Sequence, residues 1–226
     1  MDDEVCLEET NKSNEPKVYQ FVSKFNDRIE IEIFENISDK YSSIIWPSTS
    51  LLCQFIFDNK DWFQPKTLFE LGSGTGLCGI FAAKICSKVI LTDQESCDFD
   101  LMKKNIQRNG VKKNCFIFSL EWGNMNRLAE ILASNEYPID CIIGSDLCYD
   151  ESQFENLFLT VAYLMKALKS PSSPTESILF FMTYHLRCSN ENIECLLRKL
   201  GLSGQLITHD SNFKIYLYKF ELKNSE

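Results

Sequence analysis

Residues 67–79 read TLFELGSGTGLCG, and this stretch decides the fold of the chain. Its first five positions are apolar except for Glu70, which is the pattern of a buried strand. Gly72, Gly74 and Gly76 follow at alternate positions, and glycine permits the positive φ angles and close backbone approach that a ligand-binding turn needs. Small and apolar residues from 77 to 85 then predict a helix. Strand, glycine turn and helix together predict the first half of a nucleotide-binding βαβ unit.

The spacing of the glycines is compatible with two kinds of ligand. Residues 74–79 match the dinucleotide pattern G-x-G-x-x-G, whereas a longer pattern runs from Glu70 through Gly76. A carboxylate at the end of the strand repels a pyrophosphate and attracts an ammonium group. S-adenosyl-L-methionine carries an ammonium and a sulfonium and no phosphate, so the longer pattern favours it. An NAD-dependent oxidoreductase is the alternative, and a tight turn without a ligand is disfavoured because so many glycines are costly without a use.

Composition narrows the classes of partner. The formal net charge is −9 and the pI is about 4.9, which argues against direct, phosphate-driven binding of nucleic acid. An acidic surface suits a basic protein substrate such as a Lys- or Arg-rich tail. No apolar run is long enough to predict a membrane span, and the acidic N-terminus does not resemble a signal peptide. The cysteines are scattered without a C-x-x-C pair, so we expect reduced thiols, no metal site, and a cytosolic or nuclear protein.

Hydrophobic periodicity predicts the order of the elements. Residues 1–16 are polar and are expected to form a disordered acidic tail, and residues 17–226 a single domain. Alternating residues from 18 to 34 predict a β-hairpin that turns near Asn26. Strands are predicted at 67–71, 88–92, 115–120, 140–147 and 177–182, helices between and after them, and a final strand pair at 204–209 and 213–222. The expected fold is α/β: a doubly wound, Rossmann-like, seven-stranded, mostly parallel sheet with an antiparallel C-terminal hairpin, plus the N-terminal β-hairpin.

Polar and aromatic residues at the strand ends are candidates for ligand binding. Asp93 ends the second strand of the sheet and can accept hydrogen bonds from both hydroxyls of a ribose, or cap the next helix. Glu121 and Trp122 follow the third strand and can bracket an adenine, or the ring can simply cover the sheet end. Trp46 precedes Pro47 at the start of a helix, as a hydrophobic staple or as a lid over the cofactor.

The fourth strand lies beside the first in a doubly wound sheet, at the switch point where ligands bind. Asp146 and Tyr149 follow this strand and should therefore face the same crevice as the glycine turn. Asp146 can accept a hydrogen bond from a target nitrogen and aim it, and Tyr149 can form an aromatic wall for a cation. His185, at the end of the fifth strand, is expected to line the pocket or contact the substrate.

These motifs, in this order, resemble the family-16 protein methyltransferases of the seven-β-strand class. They are WP at 46–47, ELGSGTG at 70–76, TD at 92–93, EWG at 121–123 and DLCY at 146–149. The resemblance covers about residues 18–222 and implies S-adenosyl-L-methionine as the cofactor. It implies that the target nitrogen meets Asp146 and Tyr149. The cofactor contacts expected from the motifs and the resemblance are Trp46, Glu70, Gly72, Ser73, Gly74, Gly76, Asp93, Trp122 and Ser145.

The resemblance leaves the target side chain open. It implies a histone-arginine methyltransferase, with a protein-lysine methyltransferase acting on a non-histone protein as the alternative. Tyr149 is typical of the lysine enzymes, whereas an arginine enzyme needs carboxylates around the guanidinium, for which Asp146 and either Asp150 or Glu151 are candidates. A monomer in nucleus and cytoplasm, acting on a basic histone tail, is expected. A catalytically inactive binding module and a small-molecule methyltransferase remain alternatives, since a fold does not prove turnover.

Overall fold

A computed structural model of the chain describes residues 15–36, 44–136, 138–168, 178–185 and 191–223. The predicted acidic tail lies outside these residues up to position 14. The described chain begins with an antiparallel hairpin of β1 (Lys17–Val22) and β2 (Arg28–Ile33). Asn26 lies in its turn with a φ of 67°, a left-handed conformation that Asn tolerates better than most residues. Phe21, Ile31 and Ile33 point inward and are buried.

A seven-stranded sheet forms the centre of the molecule and confirms the predicted fold class. Its strands are β3 (Thr67–Leu71), β4 (Lys88–Asp93), β5 (Cys115–Ser119), β6 (Cys141–Ser145), β7 (Leu179–His185), β8 (Leu202–Asp210) and β9 (Ile215–Leu222). The strand order is β5-β4-β3-β6-β7-β9-β8, and every pairing from β5 to β7 is parallel. The last strand, β9, lies antiparallel between β7 and β8.

Helices cover both faces of the sheet. One layer contains α1 (Pro47–Asp58), α2 (Lys60–Phe63), α3 (Leu77–Ala83) and α4 (Phe99–Arg108) together with the hairpin. The other contains α5 (Met125–Ser134), α6 (Phe154–Ala167), which follows a short 3₁₀ helix (Glu151–Gln153), and α7 (Glu191–Leu200). Successive strand residues feed opposite layers: Leu68 packs in the first core and Phe69 in the second, as the period of two requires.

The winding of the sheet creates one crevice at its carboxyl edge. From β3 the chain passes through α3 to β4 on one side, while β6 pairs with β3 on the other side. The connections on the two sides of β3 therefore diverge, and a ligand crevice opens at this switch point. No helix among the described residues is long and apolar enough to cross a membrane.

Candidate cofactor and acceptor site

The loop between β3 and α3 has the predicted conformation. Gly72, Gly74 and Gly76 have φ angles of 62°, 54° and 88°, in the left-handed region that favours glycine. A Cβ atom on Gly72 would lie only 2.6 Å from a methyl group of Leu147 and 3.4 Å from the ring of Trp122. Gly72 therefore lets the glycine loop (residues 72–76) pack against the residues that follow β5 and β6.

Asp93 fastens the glycine loop to β4. One carboxylate oxygen accepts the N–H of Gly74 at 2.7 Å and the other accepts the N–H of Gln94 at 2.8 Å. Burial raises the pKa of Asp93 above its ordinary value. The Cys97 thiol also interacts with this carboxylate, and a carboxylate has about four acceptor positions in all, so the group can still accept a hydrogen bond from a ligand hydroxyl. Asp93 does not cap α4; that role belongs to Asp98, whose side chain accepts the N–H of Leu101.

A cavity of about 950 Å³ opens beside this loop. Glu70 and Gly76 are absent from its wall. The predicted site residues that do line it are Trp46, Gly72, Ser73, Gly74, Asp93, Trp122, Ser145, Asp146 and Tyr149.

Glu70, predicted as a cofactor contact, lies beneath the glycine loop and is not part of the described cavity wall. Its side chain faces α3 and is 1% exposed; a Cβ atom on Gly79 would lie 2.4 Å from its Oε2 atom, so this glycine makes room for the carboxyl group. Oε2 makes no hydrogen bond of good geometry, although Ser73, Cys78 and the Gly79 backbone interact with the carboxyl group. Burial, with a smaller contribution from the charge of Asp93, raises the pKa of Glu70 to about 8. Gly76 serves the turn itself, as the residue that precedes α3.

Two aromatic rings form part of the cavity wall. The Trp122 and Tyr149 rings are 6.4 Å apart between centroids and inclined by 56°. Gly123 positions Trp122: its φ is 87°, and its N–H donates to the Thr160 hydroxyl on α6 at 2.8 Å. Tyr149 is 54% exposed, and its ring is therefore accessible to an incoming side chain. Trp46 directly precedes α1 in an extended conformation and also lines the cavity, so it occupies the helix-entry position and the wall position at once.

Asp146 is held rigidly at the end of β6. Its φ of 55° is rare for a residue with a side chain, although Asp tolerates it. Its N–H donates to the Thr183 carbonyl at 2.7 Å, and its Oδ1 accepts the N–H of His185 at 3.2 Å. The residue is 4% exposed, so its orientation is fixed by β7. His185, predicted to line the pocket or contact the substrate, is not part of the described cavity wall; its backbone amide binds Asp146.

Sequence reasoning did not find several residues of the wall. Thr49, in the first turn of α1, has its hydroxyl 3.0 Å from that of Ser145, and only its position three residues after Trp46 hinted at this contact. Asp150 borders the cavity, whereas Glu151 does not. The other wall residues that were not predicted are Ile44, Ile45, Thr75, Leu77, Gln94, Ser96, Leu120, Leu147, Gln153 and Asn156.

The charged groups on the wall have a single sign. Four carboxylic acids border the cavity, and the described wall contains no Lys, Arg or His. The acids are Asp93, Glu121, Asp146 and Asp150. A cleft lined by one sign of charge concentrates ligands of the opposite sign, so this cavity favours a cation.

Comparison with known proteins assigns the class. A sequence model described as lysine methyltransferase matches residues 25–193, more than half of the chain. The chain belongs to the lysine methyltransferase family. The matched range includes the whole described wall of the cavity. The methyltransferase class predicted from the sequence motifs is confirmed, and an NAD-dependent oxidoreductase is no longer a competing class.

Individual relatives of this methyltransferase differ in their named targets. It is 30% identical over 201 residues to the histone-arginine methyltransferase METTL23 of Xenopus laevis, which covers 86% of this chain and 80% of the relative. It is 31% identical over 186 residues to the protein N-lysine methyltransferase METTL21A of Danio rerio, covering 79% and 76%. A solved O-methyltransferase from Bacillus cereus in complex with SAH shares the fold, with a TM-score of 0.56, 14% identity, and coverage of 81% and 84%.

Proposed function

We propose that this methyltransferase uses S-adenosyl-L-methionine to methylate a side-chain nitrogen of a protein, with arginine as the target. The observation that carries the proposal is the continuity of one cavity. It joins the glycine loop and Asp93 to Asp146 and Tyr149. A cofactor region and an acceptor region therefore share one continuous, partly open cavity, as direct transfer between two bound molecules requires.

The cofactor region offers polar groups that suit a nucleoside with an amino-acid tail. Ser73 lines the cavity as part of the glycine loop, while its buried hydroxyl interacts with the Glu70 carboxyl group beneath the loop. Asp93 can accept a hydrogen bond from a ribose hydroxyl, and Trp122 offers a ring face for a base. The volume lies at the upper end of the usual range for ligand pockets, which leaves room for a second side chain. Bound here, S-adenosyl-L-methionine would supply an electrophilic methyl group.

The acceptor region would orient and desolvate the target nitrogen. Asp146 would accept a hydrogen bond from that nitrogen, and its fixed backbone conformation limits the directions the nitrogen can take. Tyr149 and Trp122 would enclose the alkyl chain and favour a cation at their faces. Closure of the site by the incoming chain would exclude water. The proton released when the nitrogen gains a methyl group would pass to Asp146 or to solvent.

The charges on the wall support arginine over lysine. Two carboxylates, on Asp146 and Asp150, border the cavity, and a guanidinium can donate to two carboxylates at once. A lysine must lose its proton before it can attack, and nearby carboxylates raise its pKa and oppose that loss. Lysine remains the second candidate because Tyr149 is typical of lysine enzymes and because METTL21A is similar over most of the chain.

Matched peptides test the target directly. Two basic peptides that differ only in one central Arg or Lys would be incubated with the protein and tritiated S-adenosyl-L-methionine, followed by amino-acid analysis. Label in methylarginine supports the proposal, and label only in methyllysine overturns the arginine assignment. Calorimetry with S-adenosyl-L-methionine tests the cofactor separately: no binding would overturn it, whereas binding without turnover on any protein would indicate an inactive binding module.

The biological setting is part of the same proposal. A basic histone tail as substrate is supported by the name of the Xenopus relative and by the net charge of −9. Location in cytoplasm and nucleus is supported by the cysteines, which are all free in the described part of the chain, as a reducing compartment requires. Activity as a monomer is the simplest arrangement, because one chain supplies the whole described wall. Methylation of purified histones, cell fractionation and light scattering test these three points.

A further inference from the structure

A buried asparagine in α4 connects the two sides of the cavity. Asn105 lies inside the helix and is 0% exposed. A buried amide is costly unless its hydrogen-bonding groups are satisfied. Its side-chain oxygen accepts the N–H of Phe34 at 2.8 Å, and its side-chain nitrogen donates to the carbonyls of Phe34 at 3.1 Å and Thr75 at 2.9 Å. One side chain therefore binds two segments that are far apart in sequence.

Both of these segments lead to the cavity. Thr75 belongs to the glycine loop and lines the cavity itself. Phe34 is followed by Glu35, whose carboxylate accepts the N–H of Ile45 at 2.8 Å. Ile45 lines the cavity beside Trp46. A displacement of the Asn105 amide would thus move the glycine loop through Thr75. It would also move the part of the cavity wall at Ile45 and Trp46 through Phe34.

We infer that Asn105 is a positioning residue for the cofactor site. It fixes the glycine loop relative to the part of the cavity wall at Ile45 and Trp46. It acts through the Thr75 carbonyl and the Phe34 backbone and touches no ligand. The inference rests on the proposed function, since the ligand whose binding it controls is S-adenosyl-L-methionine or its product S-adenosylhomocysteine. Burial and full use of the amide explain why Asn, a weak helix former, occupies the interior of α4.

The same helix provides a matched control. Asn109 lies one turn later, and its side chain binds the backbone of Glu32, accepting the N–H at 3.0 Å and donating to the carbonyl at 2.7 Å. The remaining hydrogen bond of this side chain is to the carbonyl of Asn105 at the helix end, and the backbone carbonyl of Asn109 accepts a hydrogen bond from Lys84. The Asn109 side chain therefore makes two hydrogen bonds to the backbone of one residue in β2, as the Asn105 side chain does to Phe34. It makes no hydrogen bond to the glycine loop.

Two alanine variants separate positioning from general stability. Calorimetric titration with S-adenosylhomocysteine would be compared for wild type, Asn105→Ala and Asn109→Ala, with thermal unfolding midpoints measured in parallel. We expect Asn105→Ala to weaken binding by about ten-fold or more and Asn109→Ala by less than about three-fold, at similar losses of thermal stability. Equal weakening in both variants would overturn the inference. Failure of the wild type to bind would overturn the proposed function and this inference with it.

A measurement on the wild type covers the case in which Asn105→Ala does not fold. Amide hydrogen exchange followed by nuclear magnetic resonance reports Phe34 and Glu32 separately, and each amide donates to one of the two asparagines. If Asn105 couples the segments, saturating S-adenosylhomocysteine slows the exchange of the Phe34 amide about ten-fold or more while leaving the Glu32 amide within about two-fold. Equal changes at both amides, or no change at Phe34, would overturn the inference.

Discussion

Asp146 combines an uncommon backbone conformation with a carboxylate that faces the cavity. Its left-handed backbone and its hydrogen bond from His185 fix the carboxylate against the cavity. Asn tolerates the same backbone conformation and keeps an oxygen for His185, but it carries no charge. We therefore expect Asp146→Asn to lower kcat by roughly 10²-fold while the Kd for S-adenosylhomocysteine changes by less than about three-fold. Initial rates and calorimetry measure the two effects.

A nearby acid outside the cavity serves as the control. Glu151 follows Asp150 in the chain but does not border the cavity, so Glu151→Gln should leave both the rate and the affinity near wild-type values. If Asp146→Asn weakened cofactor affinity as much as it lowered the rate, Asp146 would belong to the cofactor region, and its role toward the acceptor nitrogen would be wrong.

Glu70 gives the protein a specific dependence of stability on pH. Burial raises its pKa from 4.5 to about 8. Between these values the folded chain keeps the proton of Glu70 while the unfolded chain has lost it, so this group makes stability fall as pH rises. Below the window both states are protonated and above it both are ionised, and the contribution is constant there.

The variant Glu70→Gln imitates the neutral carboxyl group and removes this dependence. Its free energy of unfolding, relative to wild type, should increase between about pH 5 and pH 8 by more than about 1 kcal/mol. Urea denaturation across that range measures the difference, with Glu151→Gln as an exposed control that should give curves parallel to wild type. Parallel curves for Glu70→Gln would show that Glu70 is ionised in the folded protein.

At the scale of elements, α6 fixes the loop that carries Trp122. The buried Thr160 hydroxyl accepts the N–H of Gly123 at 2.8 Å and donates to the carbonyl of Asn156 at 2.8 Å. Thr160→Val keeps the shape but leaves the Gly123 N–H without this partner, which costs about 1–3 kcal/mol. We expect that loss in urea denaturation, together with weaker binding of S-adenosylhomocysteine as Trp122 loses its fixed position.

Thr160→Ser is the matched variant, because it retains the hydroxyl and removes only a methyl group. Its affinity should stay closer to wild type than that of Thr160→Val, although it loses some packing. If the valine variant bound the ligand as tightly as wild type while the serine variant bound it weakly, packing by the methyl group and not the hydrogen bond to Gly123 would position the loop.

Elements with a strong local pattern could be predicted from the sequence almost to the residue. The strand at Thr67–Leu71 was predicted with the bounds that the structure shows, because an apolar run between turn signals defines it locally. The position of β9 between β7 and β8 could not be predicted, since strand order depends on pairings between distant segments. The role of Asn105 could not be predicted for the same reason. Its neighbours in the sequence indicate only a helix, and its partners Phe34 and Thr75 are distant in the chain.

At the scale of the whole molecule, the site residues that could be predicted are those placed in the cavity by the end of a strand. The residues that were missed are those placed there by packing between distant segments. Asp93 ends β4, and Trp122 and Asp146 follow β5 and β6; the carboxyl ends of these strands meet at one edge, so topology alone brought the three residues to the cavity. Glu70 also occupies a strand, but the alternation of side chains turns it toward α3 and away from the cavity. His185 ends β7, yet only its amide serves the site. Whether a residue near a strand end reaches the cavity thus depends on which face of the sheet its side chain points to and on its backbone contacts, and not only on its position in the sequence.

The charge of the whole molecule predicts how a substrate is recognised. The chain carries a net charge of −9, and the described cavity wall holds carboxylic acids without a cation. A basic peptide should therefore bind through charge attraction that salt screens, because the screening length falls from about 10 Å at 0.1 M salt to about 3 Å at 1 M. We expect KM for a basic peptide to rise about five-fold or more over this range, with kcat little changed.

Two controls isolate the electrostatic part of this effect. S-adenosylhomocysteine has no net charge at neutral pH, so its Kd should vary by less than about two-fold with salt. A second peptide, with the same central Arg but with its flanking Lys and Arg residues replaced by Gln, should show a higher KM at low salt and little further rise at high salt. If both peptides lost affinity equally, salt would be acting on the protein, and the acidic wall would contribute nothing to recognition of the substrate.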